Sequence, residues 1–223
     1  MKLQKYADYV DTYGGRDRIM RILYYSSQLV GGLTTSDKLA QKLDILSDQI
    51  NSCRTVMRLF DDAPMLCYTL SYGLGKEDPD RLMRFCGLAV NFLDQVYYPL
   101  EHVAWAADCK LLKIKSDPWW TASTICWALS MYFMIFKSLR YFMLLRNLKN
   151  LVKPSHLNSG EAVLRRLRQA QLSELLTAAR CFLDFIHAVH WLPTGFLWAG
   201  KLRQWHIGLL GVVSSLISIY QSA

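Results

Sequence analysis

Residues 118–136 read PWWTASTICWALSMYFMIF, nineteen positions in a row without a formal charge, closed by Asp117 on one side and Lys137 on the other. As a helix the stretch would be roughly 28 Å long at about 1.5 Å per residue, close to the ~30 Å hydrocarbon thickness of a bilayer. Trp119 and Trp120 stand at one end and Tyr141 just beyond the other, where amphipathic rings favour the headgroup level. Thr121, Ser123, Thr124 and Ser130 dilute its apolar character. The competing assignment is the buried helix of a large soluble core. The rest of the sequence is best organised around a membrane span.

Hydrophobic residues make up 52% of the 223 positions, above the usual range for a soluble domain. Charge is unevenly placed. Residues 1–117 hold fifteen Lys/Arg and fifteen Asp/Glu, whereas 137–203 hold eleven Lys/Arg and three Asp/Glu, so the whole net charge of +8 falls in the second region. A basic segment between apolar stretches favours an anionic lipid surface over nucleic acid. The six cysteines, Cys53, Cys67, Cys86, Cys109, Cys126 and Cys181, form no Cys-x-x-Cys pair and suit a reducing compartment. The N-terminal MKLQKYADYVDTYGGRDR has no apolar h-region, so it does not read as a secretory signal.

No run alternates with period two, and prolines punctuate helical patterns, so the chain reads as all-helical. The first helix carries Leu3, Tyr6 and Val10, runs on past Gly14-Gly15 to Leu29, and is expected to end at Gly31-Gly32. Ser36 is a candidate N-cap for the second. There Leu39, Leu43, Leu46, Ile50, Cys53, Met57 and Phe60 recur at spacings of four and three and line one face. Arg54 and Arg58 border that stripe; with their stems along it, the guanidinium groups are expected to reach outward. Such a helix packs in a bundle, lies in a membrane surface, or does both. Residues 80–113 form another long pattern, with a kink expected at Pro99. KSLRYFMLLRNLKNLVK after the span reads as a basic amphipathic helix, and SHLNSGE (155–161) as a polar linker. The chain closes with an uncharged stretch from Trp205, in which Gly208, Gly211 and Ser215 give a small-residue face for a neighbouring helix. Phe-Leu-Asp at 92–94 and 182–184 echo each other, each followed by Trp-Ala.

The expected fold is therefore an all-α integral membrane protein with amphipathic helices and two transmembrane helices. Its regions are an amphipathic 1–117, a first span 118–136, a basic connecting region 137–203 and a second span 204–223. No phosphate-cradling glycine loop or nucleophile context occurs. Asp184, His187 and His190 repeat every third residue, but on an amphipathic helix this is a weak metal signature. No catalytic, cofactor or metal residues are expected.

Several blocks together resemble the peroxisomal peroxin-eleven family: Gly15-Arg-Asp-Arg18, Arg54-Thr-Val-Met-Arg-Leu-Phe60, Glu101-His-Val-Ala-Trp-Ala106 and Gly208-Leu-Leu-Gly-Val-Val-Ser-Ser-Leu-Ile-Ser218. The runs Asp94 to Asp108, Ala188 to Pro193 and Leu197 to Gly200 are similar to its gamma type. The resemblance covers nearly the whole chain. It implies a multi-pass protein of the peroxisomal membrane that promotes elongation, fission and proliferation of the organelle. It also implies homo-oligomers and hetero-oligomers with related peroxins, contact with membrane phospholipids, and association with fission adaptors and a dynamin-like GTPase. The family's membrane-inserting helix maps onto Leu46, Ile50, Arg54, Met57, Arg58 and Phe60. Asp61-Asp62 directly after the stripe depart from that pattern and weaken attraction to anionic lipid. The family orientation puts both termini in the cytosol, whereas the positive-inside tendency would put the basic region there. Two other classes stay open: a small-solute pore with Thr121, Ser123, Thr124, Ser130, Ser214 and Ser218 facing a lumen between protomers, and an adaptor that recruits fission machinery.

Overall fold

The computed structural model describes residues 2–151 and 158–222. Lys153 of the basic helix and residues 155–157 of the polar linker lie outside them. Eight helices and no strands occur among the described residues: α1 Lys2–Asp11, α2 Tyr13–Leu33, α3 Asp37–Arg58, α4 Asp62–Tyr72, α5 Arg81–Asp108, α6 Asp117–Leu151, α7 Asn158–His190 and α8 Gln204–Ser222. The fold is all-α, as the periodicity requires. One helix among the described residues, α6, is long and apolar enough to cross a membrane. α8, expected as a second span, forms a single helix but does not reach the same measure.

The first expected helix is two. Thr12 adopts an extended conformation and its Oγ1 accepts the Gly15 amide at 3.0 Å, which caps a new helix start. Gly31-Gly32 do not end α2, which continues to Leu33. Glycine is needed there for close approach: a Cβ on Gly32 would fall 2.6 Å from the Trp205 backbone nitrogen at the start of α8. Pro99 sits inside α5 without ending it. α6 also runs past the charged residues that close its apolar stretch. Lys137 pairs with Asp78 at 3.1 Å and Arg140 with Asp80 at 2.5 Å, both on the loop that leads into α5. These bonds hold the far half of α6 against the neighbouring helix.

Asp80 caps α5, accepting the Met83 amide at 2.8 Å as well as the Arg140 guanidinium. Those donors hold its carboxyl below the usual carboxylate range. Because the folded value is lowered, the stabilisation is complete above the unfolded value of about 3.9 and is lost as pH falls through the folded one. Hydrogen-exchange protection at residues 82–84 should therefore fall in acid in the native chain. In Asp80→Ala it should already be low at neutral pH. Equal protection at neutral pH in both would show that the cap contributes nothing.

The helices form a ring. α6 packs between α5 and α7, α2 between α3 and α8, and α7 against α8. α3 and α5 close the ring through side chains rather than backbone packing. Apolar residues such as Tyr24, Tyr25, Met83, Val90 and Ile207 are buried in the ring, but polar groups share its interior and many large apolar side chains face outward. Asn91, Glu101, Ser123, Ser130, Asp184, His187 and Ser214 are buried, while Phe85, Phe92, Ile125, Leu129, Phe136, Phe182, Leu209 and Leu216 are exposed. Polar groups that face one another inside and apolar groups that face outward suit a lipid solvent.

Candidate functional site

The stripe on α3 is split by the fold. Leu43, Ile50 and Met57 are half-buried, with Ile50 packed against the Tyr24, Tyr25 and Ile207 cluster. Leu39, Leu46 and Cys53 follow each other at intervals of seven on one side of α3, and Phe60 lies in the turn just past the helix end at Arg58; all four are exposed, Leu46 48% and Phe60 76% accessible. Part of the apolar face thus holds α3 to the bundle and part is left exposed.

Arg54 and Arg58 turn inward instead of reaching outward. Arg54 makes a two-pronged pair with Asp17, Nε to Oδ1 at 2.8 Å and Nη2 to Oδ2 at 3.3 Å. Arg58 does the same with Glu101, Nε to Oε2 at 2.7 Å and Nη2 to Oε1 at 2.5 Å. The Tyr97 hydroxyl donates to the same carboxylate at 2.7 Å. Charge-assisted forks of this kind fix orientation as well as energy. The acidic pair that follows the stripe is also engaged. Tyr13 donates to Asp61 at 3.0 Å, and Asp62 lies 3.2 Å from His102. Burial raises the Asp61 carboxyl, with the Tyr13 bond and Arg58 acting in the opposite direction. Asp61 and Asp62 therefore lock the end of α3 to α2 and α5.

Gly208, Gly211 and Ser215 lie between α8 and α2. A Cβ on Gly208 would fall 2.6 Å from the Leu29 Cα, and one on Gly211 would overlap the Tyr25 ring. Ser215 is buried and its hydroxyl donates to the Gly211 carbonyl at 2.6 Å. The small-residue face is thus covered within the chain by α2. Of the other hydroxyls, Thr121, Ser123 and Thr124 line a cavity inside one chain. Ser214 donates to Asp184 at 2.6 Å, and Ser218 accepts from Arg18 at 3.3 Å.

Asp184, His187 and His190 do not converge. Asp184 takes Arg21 and Ser214, His187 meets the Tyr25 hydroxyl and the Trp191 indole, and His190 accepts the Leu202 amide. Among the described residues no His, Cys, Asp and Glu cluster has the arrangement of a metal site.

Arg21 has no signal in the sequence, and Asp17 and Glu101 stand out there within the blocks that carry the family resemblance, yet with Tyr97 they hold the interior together through Asp184, Arg54 and Arg58. Asp94 and Glu101 did leave a trace. They lie seven residues apart, on one side of a helix otherwise rich in apolar residues.

The model of the family described as Peroxisomal biogenesis factor 11 (PEX11) matches residues 3–223. The chain is 43% identical to human Peroxisomal membrane protein 11C over 228 residues, which cover 97% of this chain and 92% of the relative. It is 40% identical to the mouse protein of the same name, over 99% of this chain and 94% of that one. No solved structure matches.

Proposed function

We propose, from the premise that this chain belongs to the Peroxisomal biogenesis factor 11 family, that it elongates the peroxisomal membrane and prepares it for fission by laying α3 into one leaflet. Its relatives are peroxisomal membrane proteins by name. The observation that carries this reading is the uncovered row of Leu39, Leu46 and Cys53 on α3, with Phe60 exposed in the turn that follows it. Full burial of a large apolar side chain contributes about 1.5–3 kcal/mol, so three such residues outweigh the ordering of a helix that is already folded. A helix inserted in one leaflet adds area to that leaflet alone, and the mismatch favours curvature. α6 anchors the bundle, α8 crosses beside it, and the protein is multi-pass. Leu46 and Phe60 enter the lipid with the bundle intact. Ile50 and Met57 join them only if α3 swings off α2, and Arg54 and Arg58 are then freed for lipid phosphate. Homo-oligomers and hetero-oligomers with related peroxins concentrate the effect. Because α2 covers Gly208, Gly211 and Ser215, these contacts use other surfaces. Fission adaptors and a dynamin-like GTPase complete scission, and the chain acts without catalysis.

The test is tubulation of liposomes by the purified full-length protein. Leu46→Asp with Phe60→Asp should reduce tubule number at least tenfold and leave the far-UV circular dichroism unchanged, since both side chains are exposed. Unchanged tubulation by the double variant would take the wedge role away from α3.

A further inference from the structure

Within the ring of helices, between α2, α3, α5, α6 and α7, lies a cavity of about 790 Å³. This is within the span of pockets that take small molecules, roughly 300–1,000 Å³. Most charges around it cancel in pairs that cross between helices: Arg21 with Asp184, Arg54 with Asp17, Arg58 with Glu101. Asp48 and Asp117 sit at its rim, exposed to solvent. Two lining charges remain, of opposite sign: Asp94 on α5 and Arg180 on α7. Both are partly buried, and neither forms an ion pair among the described residues. One oxygen is also left over. Gln28 Oε1, on the cavity wall, is buried without a hydrogen-bond partner. Partly buried charges and polar atoms without partners are costly. In a cavity this large, a ligand can supply the missing partners.

We propose that this cavity binds a zwitterion, a molecule that carries a phosphate or carboxylate for Arg180 and an ammonium for Asp94. A simple anion would satisfy the guanidinium and leave Asp94 without a counter-charge. A simple cation would do the reverse. Only a ligand with both charges completes the pairing that the other six groups already show. The aromatic walls favour the ammonium end: Tyr98 lies close to Asp94, and Trp127 also faces the cavity, and cations are attracted to such ring faces. The ligand has two chemical sources. The headgroup of a zwitterionic phospholipid would enter sideways between α3 and α5, where side chains alone close the ring. A free solute would enter past Asp48 and Asp117. The proposal does not rest on the curvature activity of α3.

The experiment uses full-length protein in detergent micelles and its tryptophan fluorescence, because Trp120, Trp127 and Trp191 line the cavity. The probes are glycerophosphoethanolamine, short-chain phosphatidylethanolamine, inorganic phosphate and ethanolamine. At least one of the two zwitterions should bind saturably, with phosphate and ethanolamine each at least tenfold weaker. Asp94→Asn and Arg180→Gln should each weaken the zwitterion at least tenfold at unchanged helicity. Binding of the lipid without the glycerol compound supports the headgroup route, and the reverse supports the free solute. Phosphate or ethanolamine binding as tightly as the zwitterion, no saturable binding by either zwitterion, or unaltered affinity in both variants would overturn the proposal. The comparison of probes on the native chain decides the matter even if a variant does not fold.

Discussion

Glu101→Ala is expected to cost about 3–5 kcal/mol, the range for a buried pair that loses one partner, and to detach α3 from α5. Glu101 is only 2% exposed, and its two oxygens take both prongs of Arg58 and the Tyr97 hydroxyl. Removing the carboxylate leaves the Arg58 guanidinium facing the interior without its two-pronged partner. Thermal or urea unfolding in micelles, followed by circular dichroism, measures the loss, and hydrogen exchange in α3 locates it. The double variant Glu101→Leu with Arg58→Leu should recover most of the stability, because apolar groups of similar size often replace a buried ion pair at little cost. If Glu101→Ala unfolds at the native midpoint, the pair does not hold α3. Since α3 meets α5 through these side chains, Glu101→Ala should also release Ile50 and Met57 and increase membrane insertion of that helix.

Gly208→Ala is the second large effect. The added Cβ would lie 2.6 Å from the Leu29 Cα and would meet α2 backbone as well as its side chain. Side chains can rotate away, but a helix backbone cannot, so α2 and α8 must part. The cost should reach or exceed the ~1–3 kcal/mol of ordinary overpacking. Gly14→Ala is the control, since its Cβ meets only the flexible end of Arg18. A Gly208→Ala protein as stable as Gly14→Ala would mean that α2 and α8 do not pack this closely.

The parts of this architecture visible in the sequence are those set by local chemistry. The uncharged run of α6 and the apolar stripe of α3 each depend on residues close together in the chain, and the residue pattern shows them directly. Ser36 stands at the expected N-cap position of α3, although its side chain makes no capping bond. What could not be read depends on partners far along the chain. Arg21 finds Asp184 across 163 positions, and nothing near either residue announces the other. Gly31-Gly32 have the composition of a helix stop, and only the position of Trp205 shows that they serve contact instead. The stripe of α3 looks uniform in sequence, because its division into a held half and a free half is made by α2. Arg54 and Arg58 border an apolar stripe in either environment, so their inward turn depends on where Asp17 and Glu101 come to lie. Lys137 closes the apolar run of α6, but lysine is a good helix former and does not end the helix, and its pairing with Asp78, 59 positions away, could not be read locally.

Cys53 sits in the free half of that stripe with its thiol open to the surroundings, as do Cys67 on α4 and Cys109 after α5. The native chain therefore carries its own depth gauge. A water-soluble maleimide should modify Cys53 quickly while α3 is in water and slowly once the helix is sunk among acyl chains. The other two thiols, which do not lie on α3, provide the internal comparison.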